Sequence, residues 1–246
     1  MKKRNAFTLA EILVTLGIVG VIAALTVPDL VSDYQNKTMA VKIRKFATEL
    51  NEAIDLYLTD KGKSSVYTAG IEEHLSSFIT SYFNIAKTCV ASKHSTPNSA
   101  NKDEEAIFST GCFADEPYYS LDQEKSESFH CPNTSYVLSS SVAICPVIEI
   151  KTIGKNNFLN GGNNLTITTK SFLIYTDING SEPPNIGGRD MFKLTIEENG
   201  KVDSETDMTD FQNTMQGAIK CKTQPFGDGC FNRLKNKNFN PNATYY

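Results

Sequence analysis

Hydrophobic positions are contiguous near one end of this chain and become periodic further along. From Phe7 to Val27 there are 21 residues with a single charge, Glu11, and the run closes at Pro28. At about 1.5 Å per residue a helix of this length reaches roughly 31 Å, the thickness of a bilayer's hydrocarbon core. From Asp29 to Asp60 the pattern turns amphipathic. Met39, Ile43, Phe46, Leu50, Ile54 and Tyr57 recur at spacings of three and four, with Lys42, Arg44, Lys45, Glu49 and Glu52 between them. One helical face directed at a core is predicted. The expectation is a continuous helix whose segment 7–28 lies in a membrane and whose segment 29–60 packs under an exported globular head, 61–246.

Lys61-Gly62-Lys63-Ser64-Ser65 ends that helix, and Leu75, Phe78 and Phe83 predict a second, shorter one over Ile71–Ala86. The polar stretch Ala91–Glu105 reads as an exposed loop. The second half is rich in β-branched and aromatic residues. Strands are predicted over Tyr136–Ile144, Val147–Ile153, Leu165–Thr169, Ser171–Thr176 and Met191–Ile196, with turn signals at Asn160-Gly161-Gly162-Asn163, Asn179-Gly180 and Asn199-Gly200. Helix first and tightly turned antiparallel strands later is an α+β order. The tail Thr223–Tyr246, rich in Asn, Gly and Pro, reads as irregular.

Charge sharpens this picture. Residues 1–6 hold Lys2, Lys3 and Arg4 and no acid; removing those three charges takes the formal total from -4 to -7. A mildly acidic exported head gives no support to nucleic-acid binding, which needs clustered Lys and Arg. The basic run is better read as a positive-inside signal. All six cysteines, Cys89, Cys112, Cys131, Cys145, Cys221 and Cys230, lie downstream of the apolar segment, and an even number there favours disulfides. Short loops suggest Cys221–Cys230 most strongly, then Cys131–Cys145 and Cys89–Cys112. Zinc is the rival reading, but Cys-x-x-Cys is absent and His74, His94 and His130 do not sit at ligand spacing.

Glu11 discriminates among the readings of the apolar segment. An acid in a membrane helix costs up to about 2.5–3.5 kcal/mol at the bilayer centre and is kept only with a partner. On the sequence, nothing in its own helix supplies one, and Lys2, Lys3 and Arg4 are seven or more residues upstream. A secretory signal peptide has an apolar run of about 7–15 residues before a small-x-small cleavage site; this run is longer, although Ala23-Ala24 offers such a site. A plain uncleaved anchor is the other alternative.

The basic leader, the small residue Ala6, the sequence Phe7-Thr-Leu-Ala-Glu11 and the long apolar helix together resemble the N-terminus of type IV prepilins and type II secretion pseudopilins. The resemblance implies a pilin-like fold: a long N-terminal helix packed on a C-terminal antiparallel sheet. It also implies that prepilin peptidase removes the leader 1–6 between Ala6 and Phe7 and methylates the new terminus. The α-amino group of Phe7 would then pair with Glu11 of a neighbouring subunit during assembly. Two buried charges, each costly alone, act together mainly as a specificity device. Family members usually carry Gly where Ala6 stands. Gly17, Gly20 and Pro28 lower helix stability and remove a backbone donor, so the helix can bend or loosen there.

The implied setting is the bacterial inner membrane, single-pass, with the head on the periplasmic or extracellular side. The implied partners are the peptidase, other pilin or pseudopilin subunits and membrane lipid. Within the head, Asp177-Ile-Asn-Gly180 presents oxygen atoms on a sharp turn and suits either calcium or an ordinary Asx turn. A full EF-hand fails, because the twelfth residue from Asp177 is Gly188. The region resembles the C-terminal loop of pseudopilin heads, which in major pseudopilins holds a structural calcium; by that resemblance Asp177, Asn179 and Asp190 are candidate ligands. Gly-x-Ser-x-Gly, phosphate-loop and His-Glu-x-x-His motifs are absent. The reading is a structural subunit, not an enzyme: a minor or lineage-specific pseudopilin, with a minor type IV pilin or a non-polymerising anchored binding module as alternatives.

Overall fold

The computed structural model describes residues 8–95, 105–155, 165–203 and 221–240. The expected cleavage site at Ala6 and Phe7, the turn at Asn160–Asn163 and the end of the tail lie outside the described residues.

Helix α1 runs from Leu9 to Lys61, 53 residues, through Gly17, Gly20 and Pro28 without a break in the helix. Its length is about 80 Å. Gly62 closes it in the left-handed conformation, φ +59°, its N–H reaching the carbonyls of Leu58 and Thr59. The two halves of α1 differ as their patterns dictate. Ala40, Ile43, Phe46, Ala47, Leu50, Ala53, Ile54, Tyr57 and Leu58 are buried, whereas the large apolar side chains from Leu9 to Val31 are exposed.

The head is built on a six-stranded antiparallel sheet in the order β1-β6-β7-β8-β9-β10. Its strands are β1 (Ile85–Cys89), β6 (Ser135–Leu138), β7 (Ala143–Lys155), β8 (Leu165–Asp177), β9 (Met191–Ile196) and β10 (Val202–Asp203). Two hairpins stand beside it: β2 (Ser92–Ser95) with β3 (Glu105–Phe108), and β4 (Tyr118–Tyr119) with β5 (Ser126–Glu127). Among the described residues, helices α2 (Leu75–Tyr82) and α3 (Cys230–Asn236) accompany the sheet. The architecture is α+β and pilin-like, a long N-terminal helix followed by an antiparallel sheet.

Alternation along the strands separates two cores, because successive strand side chains point to opposite faces. Ile144, Phe172, Ile174, Phe192, Leu194 and Ile196 face the cluster built with the C-terminal half of α1, α2 and α3. Ala143, Cys145 and Met191 face a second cluster with Tyr118, Phe129 and two disulfides' worth of cysteines. The six cysteines pair with chain neighbours, Cys89–Cys112, Cys131–Cys145 and Cys221–Cys230.

Several local readings give way to pairing. The single strand expected over Tyr136–Ile144 is two, β6 and β7, because Leu138 and Val142 close a tight turn with Ser141 at φ +67°. The two strands expected over Leu165–Thr176 are one, held in register by thirteen residue pairs with β7 from Lys155↔Leu165 to Ala143↔Asp177. Pro146 is tolerated inside β7 because the pairing with β6 ends at Ile144, leaving an edge there. Helix α2 is shorter than expected, since Phe83 is extended and Ile85–Cys89 joins the sheet beside β6. Strand β2 lies inside the segment read as a loop, and β3 begins at its last residue, Glu105. The tail contains α3, whose Phe231 and Leu234 are buried in the first core.

Candidate functional site

Two features of the fold carry chemistry: the start of α1, and the loop joining β8 to β9. Thr8 is the N-cap of α1 and Glu11 the third helical residue, and they form a reciprocal capping box. The Thr8 N–H donates to Glu11 Oε2 at 2.8 Å, the Thr8 hydroxyl donates to the same oxygen at 2.9 Å, and the Glu11 N–H donates to Thr8 Oγ1 at 3.2 Å. This corrects the expectation that nothing local partners Glu11. A neutral hydroxyl and an amide hold the carboxylate, at the end of the helix where the macrodipole favours negative charge. Further along, Thr15 and Thr26 return their hydroxyls to helix carbonyls, at 2.9 Å to Glu11 O and 3.0 Å to Ile22 O. No polar group of theirs then faces an apolar surround without a partner. Gly17 and Gly20 lie on open helix surface, with nothing within 4 Å of an added Cβ.

The β8–β9 loop leaves the sheet at Asp177 and returns at Met191, which pair across the ladder. Of its three carboxylates Asp177 and Asp190 are fully buried, while Glu182 is exposed. Asp177 Oδ2 accepts from the Tyr118 hydroxyl at 2.6 Å, and its Oδ1 accepts from the Asn179 N–H at 3.2 Å. Asp190 accepts from the N–H groups of Asn185 and Ile186 at 2.7 and 2.6 Å. Burial, and then the neighbouring charge of Asp190, push the Asp177 carboxyl well above the usual range. Burial lifts Asp190 to about 6 against its two backbone donors. Burial likewise pushes the Tyr118 hydroxyl up, with Asp177 adding to it.

The Asn179 side-chain N–H donates to the carbonyls of Glu182 and Pro183. Its Oδ1, like that of the buried Asn185, has no hydrogen-bond partner among the described residues. The loop is tied to α1, since Arg189 donates to Gln35 Oε1 at 3.1 Å.

Of the residues singled out on the sequence, Asp177, Asn179 and Asp190 thus share one loop; Tyr118 and Asn185 were missed. Asn185 follows two prolines before a double glycine, a readable turn signal, whereas the partnership with Tyr118 spans 59 residues and has no local mark. Among the described residues no three His, Cys, Asp or Glu side chains gather at one place. The set is two carboxylates and two unpaired amide oxygens, donor chemistry that fits a hard cation such as calcium rather than zinc.

The disulfide-tied tail lies against this loop. A side chain at Gly187 would run into the carbonyls of Gln224 and Pro225, and one at Gly188 into Cys230 Sγ. Only glycine lets the two segments meet so closely.

An apolar helix that leaves its side chains exposed, joined to an α+β head with three disulfides, fits a protein anchored through its N-terminal helix. Among the described residues α1 is the helix long and apolar enough to cross a membrane, which fits a single-pass anchor. Residues 1–27 match the family model described as the prokaryotic N-terminal methylation motif, the cleavage and methylation segment of type IV pilins and pseudopilins. That motif supports a subunit of the pilin or pseudopilin type and implies processing by prepilin peptidase. No curated protein and no solved structure matches the chain.

Proposed function

We propose that the chain is a minor or lineage-specific subunit of a type II secretion pseudopilus, cut between Ala6 and Phe7 and assembled through α1. The observation that carries this reading is the divided character of α1: its C-terminal half is buried in the head while the first half presents its apolar side chains outward. Such a surface needs lipid before assembly and other helices afterwards, and the methylation motif on residues 1–27 supplies the processing step between them. In assembly the Phe7 amino group and Glu11 of adjacent copies pair, and Gly17, Gly20 and Pro28 let the helix loosen. The work is mechanical: a growing filament pushes folded substrates outward.

The secretion assignment rests on the resemblance of the Asp177–Asp190 loop and the head's final strands to those of pseudopilin heads; the length of the chain is what favours a minor or lineage-specific subunit over a major one. In this reading Asp177, Asn179 and Asp190, joined by Asn185, hold a structural calcium. Bound there, calcium would supply the positive charge that two mutually repelling buried carboxylates lack. Tyr118 and the N–H groups of Asn179, Asn185 and Ile186 orient those carboxylates, and Gly187 and Gly188 admit the tail that shields them.

Mass spectrometry of the mature N-terminus tests the processing step: a methylated Phe7 is expected, and an intact Met1 in a host with the peptidase overturns it. Glu11→Ala should insert into the membrane normally yet fail to enter filaments; unchanged incorporation would refute the role of Glu11. Deleting the gene should stop release of folded exoproteins. Loss of surface pili with secretion intact would move the subunit to a type IV pilus.

A further inference from the structure

The ribbon formed by β7 and β8 runs past the rest of the sheet, since β6 pairs with β7 only at Ala143 and Ile144 and β9 pairs with β8 only from Phe172 to Asp177. Each outer edge of such a ribbon presents a row of backbone groups that need partners. The β8 edge is covered from within the head: the Tyr67 hydroxyl donates to Lys170 O and accepts from the Phe172 N–H, each at 3.0 Å. The β7 edge has no such cover among the described residues.

The register shows which groups face outward there. The Leu138 N–H donates to Val142 O across the β6–β7 turn, and backbone groups alternate sides along a strand, so the even-numbered residues of β7 turn their N–H and C=O away from β8. Pro146 agrees, its carbonyl accepting from Asn133 Nδ2 at 2.9 Å. Proline has no N–H to extend the β6 ladder, and the Cys131–Cys145 disulfide draws the chain that precedes β6 into the second core, off the line of the edge. Beyond Pro146, nothing among the described residues pairs with the outward N–H and C=O of Ile148 and Ile150. Ile150 is 60% exposed. Ile148 lines a cavity of about 470 Å³ together with Glu72, Glu73, Ser76, Asn133 and Thr134. Glu72 is matched by Lys170 at 2.8 Å, whereas Glu73 is exposed and has no cation partner among the described residues.

We propose that this edge takes up an extended, basic segment of a partner protein as an added strand, antiparallel to β7 and in line with β6. Its main chain bonds Ile148 and Ile150, and a lysine or arginine on it meets Glu73. Directly opposed residues of an antiparallel pair share a face, and Ile148 faces the first core on the side of α2. The residues of the incoming strand whose own N–H groups bond β7 are therefore the ones whose side chains stand beside Glu73. The net charge of the exported part, -7 by formal count, steers a cationic segment toward the head. A second copy does not fit this edge. Two β7 strands paired antiparallel are related by a two-fold axis perpendicular to the sheet, which reverses α1 on the sheet face, so one membrane cannot hold both anchors.

The test uses the full chain in non-ionic detergent, titrated by calorimetry with acetyl-Thr-Val-Thr-Lys-Thr-Val-Thr-amide in three forms: unmodified, backbone N-methylated at the lysine and one valine, or backbone N-methylated at the two central threonines. Saturable binding with Kd on the order of 1 mM is expected for the unmodified and threonine-methylated forms. The lysine-methylated form, which has lost the donors aimed at β7, should bind at least about tenfold more weakly. Glu73→Gln should weaken binding several-fold with an unchanged melting temperature, and high salt should do the same. Ile150→Pro removes an N–H that the β7–β8 ladder does not use and should abolish binding, with near-ultraviolet circular dichroism reporting an intact head. Equal effects of the two methylation patterns, indifference to Glu73→Gln, or the absence of saturable binding would each overturn the proposal. So would self-association in sedimentation that Ile150→Pro abolishes, which would give the edge to a second copy.

Discussion

Gly188 offers the sharpest test of how the tail and the β8–β9 loop depend on each other. It holds φ +81°, and a Cβ there would overlap Cys230 Sγ while standing 3.1 Å from Cys230 Cβ and 3.4 Å from Cys221 Sγ. Gly188→Ala therefore imposes two costs. The left-handed conformation costs an alanine about 1–2 kcal/mol, and forcing a methyl into a packed contact adds about 1–3 kcal/mol. The obstacle is a disulfide whose two ends are anchored in the loop 221–230, so it cannot rotate away like the tip of a flexible side chain. A total of about 2–5 kcal/mol corresponds to a melting temperature lower by about 5–15 °C in a chain of this size. The assay is thermal denaturation of the purified full chain under non-reducing conditions, followed by near-ultraviolet circular dichroism of the tyrosines. The same substitution made with Cys221→Ala and Cys230→Ala, which remove the sulfurs, should cost about 1–2 kcal/mol, leaving mainly the conformational part. A melting temperature within about 1 °C of the parent, or an identical cost in the two backgrounds, would refute the steric account.

Three further outcomes follow from the same geometry. Tyr118→Phe removes the 2.6 Å donor to buried Asp177 and the acceptor of the Ala114 N–H, so urea denaturation at neutral pH should show a loss of about 2–3 kcal/mol; an unchanged midpoint would contradict it. With calcium chelated, stability should fall as pH rises from about 4 to about 6, because Asp177 and Asp190 hold protons more tightly folded than unfolded. The lift of Asp190 to about 6 is worth about 3 kcal/mol, present at acid pH and lost once pH passes its folded value. A melting temperature that climbs over that interval, or one that added calcium fails to restore at pH 7, would count against the paired carboxylates and their proposed ion. Thr8→Val keeps the shape of the N-cap but removes the hydroxyl that links it to Glu11; the first turn of α1 should lose about 1 kcal/mol, seen as faster amide exchange in micelles with membrane insertion unaltered, and unchanged exchange would refute the cap.

Features that depend only on neighbouring residues are legible along the chain. The 21-residue apolar run, the three-and-four spacing from Met39 to Tyr57 and the stop at Gly62 are local patterns, and α1 follows them from Leu9 to Lys61. The Thr8-x-x-Glu11 cap is equally local, a pattern contained within four residues. Tertiary structure decided the rest, since those outcomes rest on partners remote in the chain. Thirteen ladder pairs fuse the strands on either side of Lys170, and burial of Phe231 and Leu234 draws α3 out of a tail whose composition reads as irregular. Tyr118 becomes the donor to Asp177, and Gly188 the seat of a disulfide, only when the folded chain brings them together. The physical reason is range: helix periodicity and capping act within four residues, whereas strand register, carboxylate burial and the closure of the tail are settled by contacts that exist only in the packed head.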